Sequence, residues 1–158
     1  MCGDLAGSVF AKNTIKHSNQ RCVVVHASDN LLIEENVAYD TAGHCFMLED
    51  GMETGNQFIR NLGAYTRRPG RVIPNMGTNG AETDRDASTF WIPALGNTWV
   101  GNVAAGSIEF GWWFEPMLRG PLADNYPDWR PERVNIELFE GNVAHSNGIV
   151  SILHATYY

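Results

Sequence analysis

The sequence predicts an all-β chain wound as a parallel β-helix of about five coils. The first observation behind this is a recurrence. An Asn followed by a small apolar run appears at Asn13-Thr14-Ile15, Asn36-Val37-Ala38-Tyr39, Asn61-Leu62-Gly63-Ala64-Tyr65, Asn102-Val103-Ala104-Ala105 and Asn142-Val143-Ala144-His145, at intervals of 23, 25, 41 and 40 residues. Self-similarity at a period of 20–50 residues is the signature of repeat architectures. The second is the length of the apolar stretches, which are short, β-favouring and never reach the 10–12 residues of a periodic helix. The third is composition: 14 Asn and 16 Gly among 158 residues, the residues of tight turns and left-handed backbone.

Taken in order, the first coil holds Asn13-Thr14-Ile15 and the strand Cys22–His26 (CVVVH). The second holds Leu31–Ile33, Asn36–Tyr39 and Phe46–Leu48. The third runs from Asn61–Tyr65 to Thr89–Ile92 (TFWI), and the fourth from Asn102–Ala105 through Ile108–Phe114. The fifth holds Asn142–His145 and Ile149–Leu153. The two long intervals equal one period plus about 17 residues, and both excesses fall in stretches crowded with Pro, Gly, Asn and charge. Residues 1–158 are therefore expected to be one β-helix section with loop insertions at about 67–88 and 117–132. It begins and ends inside the pattern, as part of a longer solenoid whose flanking coils would cover its ends. A β-sandwich could also be drawn through the same turns. It gives no reason for one Asn position to repeat, whereas coils stacked about 4.8 Å apart let Asn side chains bond along a ladder. A second Asn precedes the first by five or six positions, at Asn30, Asn56 and Asn97.

Cys22 and Cys45 lie one period apart. Stacked Cβ atoms at strand spacing sit beyond the mean disulfide separation of about 3.8 Å, so two buried thiols are expected rather than a bridge. Eleven Lys+Arg against 18 Asp+Glu give a net charge of −7, which argues against nucleic-acid binding. No apolar run is long enough to span a membrane, and MCGDLAGSVF has neither the charged nor the apolar region of a secretory signal.

The strings Asn30–Tyr39 (NLLIEENVAY), Gly43–Gly51 (GHCFMLEDG), Ser88–Ile92 (STFWI), Asn102–Ser107 (NVAAGS) and Gly111–Phe114 (GWWF) resemble the β-helical region of a known family. It comprises the cell-surface hyaluronidases, the hyaluronan-binding cell-migration proteins and the fibrocystin-like proteins. The resemblance covers roughly residues 10–150. It implies a right-handed, single-stranded parallel β-helix inside a large extracellular or cell-surface protein, with an acidic polysaccharide such as hyaluronan as partner and calcium as a candidate cofactor. Fibrocystin-like members carry the same strings on adhesion or receptor scaffolds. The chain departs from the animal hyaluronan proteins in its short, cysteine-free insert between Arg67 and Ser88. No catalytic residue is carried over from them.

The candidate chemistry comes from the residues themselves. Glu49-Asp50 closes a strand, and Asp84-Arg85-Asp86 lies in the loop entering the next coil. Were that loop to fold over the sheet, carboxylates, an arginine and His44 or His26 would converge. Polysaccharide hydrolysis uses paired carboxyls, and elimination uses a base beside a group that neutralises the sugar carboxylate. Asp84, Asp86, Glu49 and His44 are the catalytic candidates. Arg85, Arg67 and Arg68 are the candidate polyanion contacts, and Arg71 belongs to the same basic cluster. Adjacent Trp112 and Trp113 must point to opposite faces of a strand, so one is expected outside the core, as a stacking platform for a sugar ring or under the second insert. A turn, a solvated loop pair and strand-end histidines satisfying backbone groups would account for the same residues without chemistry. His17, His145 and His154 have no metal-ligand spacing. Two functions follow: binding and depolymerisation of an acidic polysaccharide, or a non-catalytic adhesion scaffold.

Overall fold

Each coil lays one short strand on each of three parallel sheets. The computed structural model of the chain describes residues 2–70, 86–116 and 125–154. The first sheet stacks Val9–Ala11 (β2), Leu32–Glu34 (β6), Gln57–Ile59 (β9), Thr98–Val100 (β12) and Leu138–Glu140 (β15). The second stacks Thr14–Lys16 (β3), Val37–Ala42 (β7), Leu62–Arg67 (β10), Val103–Ala105 (β13) and Val143–His145 (β16). The third stacks Val23–Val25 (β4), Phe46–Leu48 (β8), Ser88–Ile92 (β11), Phe110–Phe114 (β14) and Val150–His154 (β17). A two-residue pair, Gly3–Asp4 (β1) with Ser28–Asp29 (β5), lies beside them. The chain is thus a parallel β-helix of about five coils. The Asn segments supply the second sheet and the apolar stretches the third. The inward positions of the first sheet carry the residues the periodicity singled out least.

Every coil turns its first corner in the same way. Lys12, Glu35, Arg60, Gly101 and Gly141 have φ between 52° and 64°, and each is followed by an Asn of the ladder. The left-handed residue bends the chain so that the Asn side chain points along the coil axis. Asn36 donates its backbone N–H and its Nδ2–H to Asn61 Oδ1 at 3.1 and 2.9 Å. Asn61 does the same to Asn102 at 2.9 and 3.0 Å, and Asn102 to Asn142 at 2.9 and 3.0 Å. The second Nδ2 hydrogen returns to a carbonyl of the coil before, as from Asn102 to Phe58 O at 2.8 Å. A second ladder joins Asn56 to Asn97 at 2.9 and 3.0 Å. Asn30 does not belong to it: Leu31 holds that rung, its N–H donating to Asn56 Oδ1. Asn30, at φ 62°, bonds Asp4 from the turn. Its six-residue offset from Asn36, against five elsewhere, is the one-residue slip.

The core is a stack of aromatics opposite a seam of small residues. Phe58 and Trp99 stack at 4.0 Å between centroids, as do Phe90 and Trp112, and the two columns meet edge-on at 5.7 Å through Trp99 and Trp112. The second sheet faces them with Ala38, Gly63 and Ala104. Gly63 is required there, because a Cβ would lie 2.2 Å from Thr89 Cγ2.

Two expectations are corrected here. Cys22 and Cys45 form a disulfide. Both sit just before their strands, where the backbones approach to a Cα separation of 4.5 Å, inside the range a bridge needs; regular strand spacing was the wrong reference. Trp112 is 1% exposed and fills the core, so it is no sugar platform. Trp113 takes the outer face beside Trp91 and is only half-buried.

Candidate functional site

The turn after β8 brings Glu49 and Asp50 beside Arg21 and His26. Parallel register pairs Val25 with Leu48, so His26 and Glu49 follow as neighbours on adjacent coils. His26 Nδ1 lies 3.4 Å from Glu49 Oε2 and 3.0 Å from Asp50 Oδ2. Arg21 starts before β4 and reaches along the sheet to place Nη1 3.1 Å from Glu49 Oε1. Asp50 also accepts the Ala27 N–H at 2.8 Å. The His26 side chain is 64% exposed and that of Glu49 23%, so the open side of the cluster can be reached from solvent.

Glu53 holds the turn in shape from beneath. It is fully buried, and its carboxyl accepts the backbone N–H groups of Glu49 and Asp50 on one oxygen and of Gly51 and Met52 on the other, at 2.7–3.2 Å. Burial pushes this carboxyl up to about 7, against the backbone donors that favour its ionised form, and the Asp50 charge adds to the rise. The turn is pinned further by Trp129, whose Nε1–H donates to Gly51 O at 3.2 Å.

Chemically, an exposed imidazole between two carboxylates is oriented to take and give a proton. The Arg21 guanidinium can meet an acidic ligand only by giving up part of its pairing with Glu49. Among the described residues no group of three or more His, Cys, Asp and Glu is arranged to hold a metal ion. Glu49 and Asp50 are committed to Arg21, His26 and a backbone N–H, so these residues do not fit a calcium cage.

The other sequence candidates go elsewhere. Asp84 and Arg85 lie outside the described residues, as do Arg71, most of the first expected insertion and half of the second. Asp86 is exposed at the entry to β11, near enough to Arg68 to act on its charge. His44 is fully buried: its ring stacks on Trp91 at 4.8 Å, and Nδ1 lies 2.9 Å from Ser88 Oγ. The acid–base candidate His44 thus stands just before β8 and away from solvent, because the outer face of the third sheet is covered at Met47 and Trp91. Arg67 Nε donates to Asp40 Oδ1 at 2.7 Å. Arg68 pairs with the buried Glu109, its rung partner one 41-residue interval later. Arg21 and Glu53 were missed by sequence reasoning. The period held a signal for the cluster: once Cys22 and Cys45 are aligned, His26 and Glu49 fall on one rung.

Comparison with known proteins agrees with the fold. The family described as the CEMIP beta-helix matches residues 1–152. The chain is 34% identical to the "Cell surface hyaluronidase" of Danio rerio, over 92% of this chain and 12% of that protein. It is 36% identical to the human "Cell surface hyaluronidase CEMIP2", over 85% of this chain and 11% of that protein. With the human "Cell migration-inducing and hyaluronan-binding protein" it shares 35% identity, over 85% and 11% respectively. The chain spans 11–12% of the length of these relatives. With the coils, the Asn ladders and the match over nearly its whole length in agreement, the chain belongs to the CEMIP β-helix family.

Proposed function

We propose that this β-helix section serves an extracellular or cell-surface protein that binds an acidic polysaccharide of the hyaluronan type and takes part in its depolymerisation. The observation that carries the reading is the meeting of Glu49, Asp50 and Arg21 with the exposed His26 at one turn, in a family whose named members include hyaluronidases and a hyaluronan-binding protein. In this reading Glu49 and Asp50 provide carboxyl chemistry, His26 moves the proton, and Arg21 meets the sugar carboxylate. Asp84, Arg85 and Asp86 stay as candidates from the neighbouring loop, with Arg67 and Arg68 as polymer contacts and Trp113 at the margin.

A second reading, a non-catalytic adhesion scaffold, is favoured by a specific observation. Arg21, Arg60, Arg67 and Arg68 are each paired with a carboxylate of the same chain, and the net charge is −7. The test follows the size of labelled hyaluronan on gels with the parent protein, with and without calcium, beside chondroitin and pectate. Shortening of hyaluronan that is lost in Glu49→Gln or Asp84→Asn, with folding intact, supports the enzymatic reading. A folded parent protein that shortens no polymer refutes it in favour of the scaffold.

A further inference from the structure

A second surface, at the far edge of the second sheet, has a tyrosine where the backbone disfavours one. The coils make a left-handed turn there at His17, Asp40, Tyr65, Gly106 and Ser146, with φ between 51° and 65°. Glycine, Asn and Asp take this conformation readily, whereas a bulky aromatic pays for the crowding of its Cβ. Buried aromatics can offset such a cost by packing. Tyr65 does not, since it is 46% exposed. Strain held in a side chain that remains in solvent points to a use for that side chain.

Its surroundings indicate which use. Tyr39, on the preceding coil, is 48% exposed, and the two ring centroids lie 6.5 Å apart with planes inclined by 34°. Tyr39 shares its outward rung with Lys16 on one side and Ala64 on the other, so a methyl group, not a second bulky side chain, stands next to its ring. Around the pair sit three basic groups and one acid. Arg67 holds Asp40 at 2.7 Å, and His17 Nε2 lies 3.4 Å from the other Asp40 oxygen. Lys16 is exposed and close enough to act on the Asp40 charge. Arg67 first, by its hydrogen bond, and then the charges of Arg67, His17 and Lys16 hold the Asp40 carboxyl below its ordinary range. Asp40 thus stays ionised and neutralises one cation, leaving a local positive excess on a chain of net charge −7.

We infer that Tyr39 and Tyr65, with Lys16 beside them, form a binding platform for an acidic saccharide, distinct from the turn at Glu49. Apolar sugar faces stack on the two rings, and Lys16 meets a uronate carboxylate. Asp40 and Arg67 hold the tyrosine-bearing turn in place. The inference rests on the reading that this protein binds an acidic polysaccharide, and it assigns the place of contact.

The test titrates hyaluronan oligosaccharides into the parent protein by calorimetry, with neutral cello-oligosaccharides as control, and follows melting in parallel. Tyr65→Asn is expected to weaken hyaluronan binding about tenfold while raising the melting temperature by about 1–3 °C, because the strain is relieved. Tyr39→Ala and Lys16→Ala weaken binding with melting unchanged. Wild-type binding that survives both Tyr65→Asn and Tyr39→Ala overturns the platform alone. A fall in melting temperature on Tyr65→Asn overturns the strain argument. Absence of any wild-type binding to the acidic sugar overturns the platform together with the functional reading beneath it.

Discussion

Replacing Asn102 by Ala tests whether the Asn ladder or the aromatic core holds the coils in register. Asn102 is fully buried and stands at the middle of the long ladder. Its Oδ1 accepts Asn61 N–H at 2.9 Å and Asn61 Nδ2–H at 3.0 Å. Its Nδ2 donates to Asn142 Oδ1 at 3.0 Å and Phe58 O at 2.8 Å. Truncation removes all four bonds. Asn61 Nδ2 keeps Ile33 O, and Asn142 Oδ1 keeps the Asn102 backbone N–H. The Asn61 N–H loses its acceptor, and Phe58 O loses the amide donor. A buried group left unsatisfied costs about 1–3 kcal/mol, so Asn102→Ala is expected to cost about 3–5 kcal/mol. Asn13→Ala, on the exposed first rung, should cost about 1 kcal/mol or less, because water replaces the lost partners. Asn102→Asp should do no better than Ala: the carboxylate keeps the accepting role but faces Phe58 O and Asn142 Oδ1 with no hydrogen to donate. The assay is urea unfolding followed by tryptophan fluorescence, comparing midpoints at unchanged slope. Equal losses for Asn102→Ala and Asn13→Ala would refute the ladder as a principal source of register.

Three further outcomes follow from other sites. Cys22→Ser with Cys45→Ser should lower stability by about 3 kcal/mol, from the 23-residue separation of the bridge and the loop entropy it removes from the unfolded chain; thiol titration of the unfolded, unreduced wild type should find Cys2 alone. Gly63→Ala should cost about 1–3 kcal/mol through overpacking against Thr89 Cγ2. Thr89→Ser should recover part of that in the double variant, since it removes the clashing methyl and keeps the hydroxyl bonded to Thr66. The buried Glu53 carboxyl, raised from 4.5 to about 7, binds its proton more tightly folded than unfolded. Its contribution is full below about pH 4.5 and is lost as pH rises to about 7, a fall of about 1–3 kcal/mol. The same pH series on Glu53→Gln should show that slope abolished, and a slope that persists would assign it to other groups.

The fold was legible because a solenoid writes its geometry into intervals. One coil equals one period, so Asn36, Asn61 and Asn102 announced both the architecture and its register before any strand was drawn. The first sheet was harder to see. Its strands are three residues long, and a single inward side chain such as Ile33, Phe58 or Trp99 leaves no pattern to detect. The disulfide was misjudged because strand spacing was applied to residues that precede their strands. The candidate site was legible in part. Glu49 and Asp50 were found from their composition and place, but Arg21 was not, because its role depends on a long side chain reaching along a strand. His44 is a proton-donor candidate by its place just before a strand, and only the stacking of its ring on the buried Trp91 shows that it does not meet solvent. Tyr65 was read as the end of a repeat string. Its left-handed backbone becomes visible only when the five turns are laid on one another.

The Asn ladder also gives the molecule a direction. Each rung offers Oδ1 to the coil before it and presents two N–H donors to the coil after it, whereas the sheet backbone sends N–H groups both ways. The two ends of a ladder are therefore chemically unlike, one an acceptor and the other a donor. Two copies set end to end with like faces together would oppose donor to donor or acceptor to acceptor along every ladder. A contact that continued the Asn ladders from one copy to the next would therefore be head to tail, a heterologous arrangement.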